Sequence, residues 1–347
     1  MHEQVPAHVP VMLDRCVQLL EPALLRPDAV LVDATVGLGG HTHALLSRLP
    51  QLRVIGLDRD PAALRSASHR LQPFAGRVTL VHAVFDELGE VLDRLGYPQV
   101  CGLLFDLGVS SMQLDEAGRG FAYSRCAPLD MRMDNTAGHT AAQVLNTYSQ
   151  AELTSVLRRY GQERFAPAIA RAVVRRRAQA PLHSSDELVE LVRSAIPAPA
   201  RRTGGNPAKR TFQALRIEVN DELGALARVL PQIVSRLAPG GRVVLLSYHS
   251  GEDTAVKRAL RQASTSTAPP GLPVELPEHA PPLRLLVRGA EQADAGQVRA
   301  NPRAQSVRLR AAERVSGTGQ DRHAGAGCGH FITTHDTMSA TTTRSDD

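Results

Sequence analysis

Short apolar runs alternate with amphipathic segments along the first hundred residues of the chain. Each apolar run is rich in Val, Leu or Ile, which is typical of buried strands, and the segments between them have apolar residues at helical spacing. The predicted strands span 29–34, 53–57, 78–82 and 100–105. The predicted helices between them span 41–49, 61–71 and 85–95. Strands separated by helices of this length predict a parallel, doubly wound α/β sheet.

The alternation stops after the fourth strand, and a long stretch with helical periodicity follows. The helices predicted there span 141–145, 150–160, 164–177 and 185–195. In the third of them, Phe165, Ile169 and Val173 form an apolar stripe at i, i+4 spacing, while Arg171 and Arg175 project elsewhere. This stretch therefore predicts a helical insertion into the sheet domain.

The sheet pattern returns near residue 211. The elements predicted there are a helix at 211–237, a strand at 242–247, a helix at 252–264, and a closing antiparallel hairpin of 283–287 with 306–310. The pattern predicts a discontinuous sheet domain, 1–111 and 212–315, interrupted by a helical domain, 112–211. The tail, 316–347, is rich in Gly, Thr and Ser without periodicity, so we predict that it is disordered.

Composition narrows the class of protein. No apolar run reaches the roughly 18 residues that a membrane span needs, and the N-terminus lacks a signal pattern. The four cysteines lie far apart without a C-x-x-C pair: Cys16, Cys101, Cys126 and Cys328. We therefore expect a cytoplasmic protein with reduced thiols, no disulfide framework, no metal site and no membrane partner.

Positive charge is concentrated in one part of the chain. Residues 158–216 contain 13 basic and 4 acidic side chains, so this segment has a net charge of +9. The whole chain has a net charge of only +5. The rest of the chain is slightly acidic. This distribution predicts a polyanionic partner, and an ordinary solvated, Arg-rich helical face is the alternative.

A glycine-rich turn follows the first predicted strand, with Gly37, Gly39 and Gly40 directly before a helix. Such a turn lets the backbone approach a ligand at a helix N-terminus. Asp58 ends the next strand, 21 residues after Gly37, where a carboxylate binds the hydroxyls of an adenosine ribose. Thr42 stands where a dinucleotide site prefers a third Gly, and the closing hairpin is typical of methyltransferase sheets. S-Adenosylmethionine is therefore favoured over NAD(P) and over a purely structural turn.

The segment 103–134 predicts a second part of the site. Asp106 ends the fourth strand and is followed by Gly108, Ser110 and Ser111. Ligands bind outside the carboxyl ends of strands in open α/β sheets, so these residues are typical of a site. The charged residues that follow are Arg119, Asp130, Arg132 and Asp134. A solvated loop is the alternative interpretation.

Many long motifs occur in one order along the chain: DATVGLGGHT, GLDRDPAAL, FDLGVSSMQLD, RGFAY, PLDMRMD, YGQERFAPAIARAVV, NPAKRTFQALRIEVNDEL, LAPGGRVVLLSYHSGEDTAVKR and ANPRAQSVRLR. With these motifs, nearly the whole chain, from His8 to about Arg314, resembles the RsmH (MraW) family of bacterial 16S ribosomal RNA cytosine N4-methyltransferases. The departures are Met112, where Pro is frequent, Gly251, where Leu is frequent, and the tail. The resemblance implies a class I (Rossmann-like) methyltransferase sheet with an inserted, substrate-recognising helical domain. It also implies methylation of a decoding-region cytidine of 16S rRNA within the small ribosomal subunit.

The resemblance also implies the cofactor contacts. Carried over by motif, the S-adenosylmethionine contacts are Gly39, Gly40, His41, Asp58, Phe85, Asp106 and Gln113. The residues themselves support most of these assignments, with the glycines at the methionine carboxylate, Asp58 at the ribose and Phe85 over the adenine. A core Phe and a surface Gln are the plain alternatives for Phe85 and Gln113.

The reaction requires help because the lone pair of a cytosine amine is delocalised into the ring. Acceptors on its two N–H groups would localise that lone pair, and the nearest candidates are Asp106, the Leu107 carbonyl, Ser110 and Ser111. Asp106 or His249 could accept the departing proton, although a lone His is more often structural. The target base must leave its stack, and the candidate stacking surfaces are Phe121, Tyr123 and Tyr248.

Two other functions stay open at this point. A DNA amine methyltransferase usually has Pro-Pro-aromatic after the fourth strand, where this chain has Leu107-Gly108-Val109. A non-catalytic assembly factor would keep the basic insertion but would not need Asp58 and Asp106. The oligomeric state is not determined by the sequence, with a homodimer as one alternative.

Overall fold

The computed structural model describes residues 10–123, 126–201, 206–269 and 276–315, apart from the side chains of Ser111, Ala117 and Arg201. The predicted disordered tail and Cys328 lie outside the described residues. The described strands are β1 Val30–Asp33, β2 Arg53–Asp58, β3 Val78–His82, β4 Val100–Asp106, β5 Leu237–Ser247, β6 Leu283–Leu285 and β7 Arg308–Arg314.

The described helices surround and interrupt these strands. Those before β5 are α1 Leu13–Leu24, α2 Gly40–Arg48, α3 Pro61–Leu71, α4 Leu88–Arg94, α5 Ser111–Asp115, α6 Ala141–Thr147, α7 Gln150–Gly161, α8 Ala166–Arg177, α9 Ser185–Ala195, α10 Ala198–Arg201, α11 Lys209–Asn220 and α12 Glu222–Arg236. Those after β5 are α13 Ser250–Ala263 and α14 Ala295–Ala300. No described helix is long and apolar enough to cross a membrane.

All seven strands form one sheet in the order β3-β2-β1-β4-β5-β7-β6. The first five strands pair in parallel, and β7 runs antiparallel to both β5 and β6. The order turns back at β1, so the ends of β1 and β4 open a crevice where ligands bind in such sheets. The predicted class I, Rossmann-like methyltransferase sheet is therefore confirmed, including its antiparallel closing pair.

Alternating side chains of the sheet bury two apolar layers. In β1, Leu31 packs in the layer that also contains α1 and α2 residues such as Leu20 and Leu45. Its neighbours Val30 and Val32 point into the opposite layer, which α4, α12 and α13 cover. A third apolar cluster lies between Phe121 and Leu215 in sequence and contains residues of α6 to α9 and α11.

Several predicted boundaries are wrong. The helix predicted at 211–237 is two helices, because Asp221 has a left-handed φ of 47° that ends α11 and begins α12. Strand β5 begins at Leu237 rather than at residue 242, since Leu237 already pairs with Val100 before the ladder shifts register. The helix predicted at 85–95 begins with a separate 3-10 turn, Phe85–Glu87.

Other elements differ in extent or were not predicted. The last strand, predicted at 306–310, runs from Arg308 to Arg314, because residues 302–306 form a 3-10 turn instead. Helix α1 was not predicted, although its buried face packs against β4 and β5. The remaining predicted elements are present with small shifts of their ends.

Candidate active site

A cavity of about 850 Å³ opens at the carboxyl ends of the parallel strands. It brings together most of the predicted site residues: Gly40, His41, Asp58, Phe85, Asp106, Ser110, Gln113 and His249. Gly39 lies just outside the lining and forms the N-cap of α2. The side chain of Ser111 lies outside the described residues. The fold thus brings residues more than 200 positions apart in sequence to one cavity.

Asp33, the last residue of β1, stabilises the glycine-rich turn between β1 and α2. This buried carboxylate accepts a hydrogen bond from the Thr42 hydroxyl at 2.7 Å, and burial raises its pKa. Gly39 has a φ of 74°, and a Cβ there would meet Leu71 at 3.1 Å, so a side chain is disfavoured on two counts. Thr42, which stands in place of a third Gly, therefore stabilises this turn. Sequence reasoning missed that role.

Asp58 is fixed between the turn and its own strand. One oxygen accepts the Gly37 N–H at 2.8 Å and the other accepts the Asp60 N–H at 2.9 Å. Burial raises the pKa of Asp58 to about 6, because desolvation outweighs these two bonds. Each oxygen has a further lone pair, so the carboxylate can accept additional donors from a ligand.

Phe85 and Phe105 form an edge-to-face pair, with ring centroids 6.2 Å apart and an interplanar angle of 86°. Phe105 is fully buried, whereas Phe85 is partly buried and lines the cavity. The buried ring thus holds the cavity-lining ring in place, and Phe85 gives this end of the cavity an apolar wall.

Asp106 receives a hydrogen bond that the sequence does not reveal. The Tyr248 hydroxyl donates to its Oδ1 at 2.5 Å, and the Nδ1 of His41 lies 3.9 Å from its Oδ2. Burial, followed by the charge of Asp106, raises the pKa of Tyr248 well above its usual range, so this phenol stays a donor. Gly108 turns the chain with a φ of 103°, and a Cβ there would lie 3.4 Å from the Tyr248 ring.

A buried polar network ties the segment after β4 to the end of β2. Asp60 accepts hydrogen bonds on Oδ2 from Gln113 at 3.0 Å and from Arg119 at 2.7 Å. Arg119 also donates to the Met133 carbonyl at 2.7 Å. The Gln113 carbonyl oxygen accepts the Ser110 N–H at 3.0 Å. Gln113 is therefore buried and bound to Asp60, in contrast to the surface Gln that was the plain alternative.

His249 caps α13 and lies beside two buried carboxylates. Glu222, His249 and Glu252 each offer a ligand atom within 4.8 Å of the others, a spacing that could hold a metal ion. However, both oxygens of Glu222 accept from Arg216 at 2.8 Å, and this partly buried cation opposes a second one. The Nδ1 of His249 accepts the Glu252 N–H, so the neutral ring carries its hydrogen on Nε2. The chemistry of this trio therefore disfavours a metal.

The candidate stacking residues have different surroundings. Phe121 and Tyr123 both line the cavity, and Tyr123 packs edge-on against Phe212 with centroids 6.0 Å apart. Phe212 lies in α11 and belongs to the third apolar cluster. The cavity thus lies between the sheet and the helical cluster. Tyr248 also lines the cavity, and its hydroxyl donates to Asp106.

Part of the basic segment is committed to holding the fold. Arg176 pairs with Glu187 at 3.0 Å, Arg177 donates to the Leu145 carbonyl at 2.7 Å, and Arg216 pairs with Glu222. Arg171 and Arg175 of α8 are exposed, as the helical stripe predicted. Only a part of the +9 is therefore available to a partner.

Comparisons with known proteins give the family. A family model described as the MraW methylase family matches residues 6–315. A protein named ribosomal RNA small subunit methyltransferase H from Thermobifida fusca is 61% identical over 310 residues, covering 89% of this chain and 94% of its own length. The protein of the same name from Parafrankia sp. is 62% identical over 309 residues, with the same two shares. A solved rRNA methylase from Streptococcus thermophilus, 13% identical, covers 89% of this chain and 99% of its own, with a TM-score of 0.37. The family match and the identities show that this chain belongs to the MraW methylase family.

Proposed function

We propose that this chain transfers a methyl group from S-adenosylmethionine to the N4 amine of a cytidine in the decoding region of 16S rRNA. Relatives about 60% identical are named as small-subunit rRNA methyltransferases, which supports the class of substrate. The observation that carries the proposal is the shared cavity of Asp58 and Asp106, at the ends of the two strands that flank β1. We place this activity in the cytoplasm, on the small ribosomal subunit.

The cofactor end of the cavity fits S-adenosylmethionine. Asp58 would accept the ribose hydroxyls, whose donation would relieve the cost of ionising a carboxylate with a raised pKa. Phe85 would cover the adenine, and Gly39, Gly40 and the start of α2 would receive the methionine carboxylate. Gln113, which lines the same cavity, is a further contact that we assign.

The ammonium group has a matching place between His41 and Asp106. The Nε2 of His41 lies 3.1 Å from the Val11 carbonyl, an acceptor, so the hydrogen of the neutral ring lies on Nε2. Its Nδ1 lone pair then faces the Asp106 carboxylate across 3.9 Å. Two acceptors opposite each other are suited to hold a cation that donates to both. The bound cofactor supplies the electrophilic sulfonium methyl.

Residues at and just after the end of β4 would prepare the amine. Asp106 and the Leu107 carbonyl would accept its two hydrogens and localise its lone pair, with Ser110 and Ser111 as further acceptors. The Ser110 hydroxyl already accepts the Gln113 N–H at 3.3 Å, which fixes its place at the start of α5. Asp106, rather than His249, would accept the departing proton, because the neutral His249 ring presents only an N–H. Tyr248 would hold Asp106 in place.

The helical part would recognise the RNA. We assign residues 1–111 and 212–315 to methyl transfer and 112–211 to substrate recognition, with one refinement. Phe212 and Leu215 of α11 pack in the third apolar cluster, so the boundary is better placed at Asp221, where the helix breaks. Exposed Arg171 and Arg175 would meet phosphate, and Lys209 lines the cavity itself. The partner is 16S rRNA within the small subunit.

Transfer of labelled methyl groups to purified small subunits tests this proposal. Subunits from cells that lack the gene are incubated with labelled S-adenosylmethionine and the enzyme. The nucleosides are then separated and identified by mass spectrometry. We expect label in N4-methylcytidine from one RNA site, with none on duplex DNA. Label on DNA alone would support the DNA methyltransferase alternative. Absence of transfer to any nucleic acid would support the assembly factor.

A further inference from the structure

His249 has a buried ring nitrogen, Nε2, that makes no aligned hydrogen bond to any residue that the structure describes. Its side chain is 10% exposed, and its Nε2 is shielded from water. Buried polar atoms in proteins are nearly always hydrogen-bonded, so an exception calls for an explanation, and a ligand is one such explanation. His249 also lines the cavity that contains Asp106.

The local bonds determine what this nitrogen can do. The Nδ1 accepts the Glu252 N–H at 3.4 Å, which requires a neutral ring with its hydrogen on Nε2. The Nε2 lies 3.2 Å from Oε1 of Glu252, but this contact lacks hydrogen-bond alignment. The other oxygen of Glu252 accepts the N–H groups of Tyr248 and His249. The Nε2–H of His249 therefore has no well-aligned acceptor within the part of the chain that the structure describes.

We propose that the Nε2–H of His249 donates a hydrogen bond to N3 of the target cytosine and so selects cytosine over uracil. This inference rests on the proposed function. In cytosine, N3 is an acceptor beside the carbon that carries the amine, whereas uracil has an N–H there. Tyr248, the preceding residue, donates to Asp106, the proposed acceptor of the amine. Two residues adjacent in sequence thus position an acceptor, Asp106, and provide a donor, the Nε2–H of His249, and these are the two kinds of group that the N4 and N3 positions of cytosine require.

The chemistry limits this role to selection and orientation. A donor at N3 draws electron density from the amine into the ring, so it does not make the amine a better nucleophile. Its benefit is that a uracil would bring two donors together in a buried place, where unpaired polar groups are costly. The base must displace a neighbouring side chain to reach the shielded nitrogen. His249 is thus a specificity-determining residue and not the base.

A double-mutant cycle between enzyme and substrate tests the contact. Small subunits are reconstituted with cytidine or 3-deazacytidine, which lacks N3, at the target site. The enzyme variant is His249→Asn, since Asn also caps helices and keeps the acceptor for the Glu252 N–H. His249→Ser is a second capping variant, and thermal unfolding verifies that both variants fold.

We expect kcat/KM of the wild-type enzyme to fall about tenfold on the deaza substrate, and that of His249→Asn to fall about tenfold on cytidine. The kcat/KM of His249→Asn should be no lower on the deaza substrate than on cytidine. Asp58→Ala is the control. Its fold-loss of kcat/KM and the fold-loss caused by the deaza substrate should multiply when the two changes are combined, because the two act independently.

If the losses of kcat/KM from the enzyme variant and from the deaza substrate multiply for both His249→Asn and His249→Ser, the inference is overturned. Methyl transfer to cytidine would still be observed in that case. A wild-type enzyme that fails on cytidine would instead overturn the proposed function. The two failures are therefore distinguishable.

Discussion

Asp58 is the residue whose substitution tests the proposed cofactor site most simply. If it holds the ribose hydroxyls, Asp58→Ala should weaken S-adenosylmethionine binding without unfolding the protein. Loss of hydrogen bonds to a charged group costs about 1.5–3 kcal/mol, which is roughly a 10- to 150-fold loss of affinity. Calorimetry measures this loss, and unchanged affinity in a folded variant would remove Asp58 from the site.

The raised pKa of Asp58 gives a second prediction. Since hydroxyls donate best to the ionised carboxylate, affinity for the cofactor should weaken as the pH falls through about 6. The loss should approach about tenfold per pH unit below that value. Asp58→Asn serves as the control, because it removes the titrating group and leaves the cofactor's own groups unchanged. The same pH dependence in that variant would assign the titration elsewhere.

Asp106 should affect chemistry more than binding. Its interaction with the amine strengthens as positive charge develops on the nitrogen, so Asp106→Ala should depress single-turnover transfer by on the order of 10²–10³. Tyr248→Phe should cost less, because it removes only the donor that orients Asp106. Saturating both substrates separates the two effects. A near-normal rate for Asp106→Ala would mean that other groups orient the amine.

The residue-level contacts show what the sequence could not reveal. Asp58 and Asp106 were predictable because each ends a strand and the spacing from the glycine turn is local. The bond between Tyr248 and Asp106 joins residues 142 positions apart, and only the adjacency of β4 and β5 brings them together. The bond between Thr42 and Asp33 spans nine residues and could have been inferred from the turn.

At the scale of elements, periodicity predicted most strands and helices, because buried parallel strands have continuous apolar runs. It failed where one residue changes the backbone direction. Asp221 continues the helical pattern in composition, but its left-handed φ divides the helix. Asp adopts this conformation more readily than most residues, yet nothing in the pattern requires it. Helix α1 was not predicted, although its buried residues, such as Cys16, Leu20 and Leu24, recur at helical spacing.

The network of Asp60, Gln113 and Arg119 joins two loops beside the cavity. Asp60→Asn keeps the cap of α3 but leaves Arg119 without its buried anion, so stability should fall by about 3–5 kcal/mol. Because the Asp60 side chain also accepts a hydrogen bond from Gln113, which lines the cavity, cofactor affinity should fall as well. Thermal unfolding and calorimetry measure the two effects.

The ion pair between Arg242 and Glu313 at 2.9 Å offers a matched control in β5 and β7. Glu313→Gln should lower stability and leave cofactor affinity unchanged. Equal effects of the two variants on affinity would mean that the network acts only through general stability.

At the scale of the whole molecule, charge distribution should decide how RNA is held. Arg171→Gln with Arg175→Gln should weaken RNA binding and lower the slope of log affinity against log salt by up to about two. Arg258→Gln with Arg261→Gln, on the exposed face of α13, gives the same change of charge as a control. Cofactor affinity should not change in either variant. An unchanged slope for the first pair would support the solvated-face alternative.

The fold as a whole followed from sequence more readily than the location of its charge. The basic total was visible in composition, whereas the pairing of Arg176 with Glu187 and of Arg216 with Glu222 depends on helix packing. A count of charges therefore overestimates the surface available to RNA. The shared cavity likewise depends on how the third apolar cluster meets the sheet, which no local pattern specifies.

Mass mapping of 16S rRNA is the most direct test of the central claim. RNA is prepared from cells that lack the gene and from the same cells carrying the wild-type gene or the Asp106→Ala variant. We expect a decoding-region cytidine to gain one methyl group, on N4, with the wild-type gene, and to lack it in the deletion and in most RNA from the variant. An identical methylation pattern with and without the gene would contradict the account.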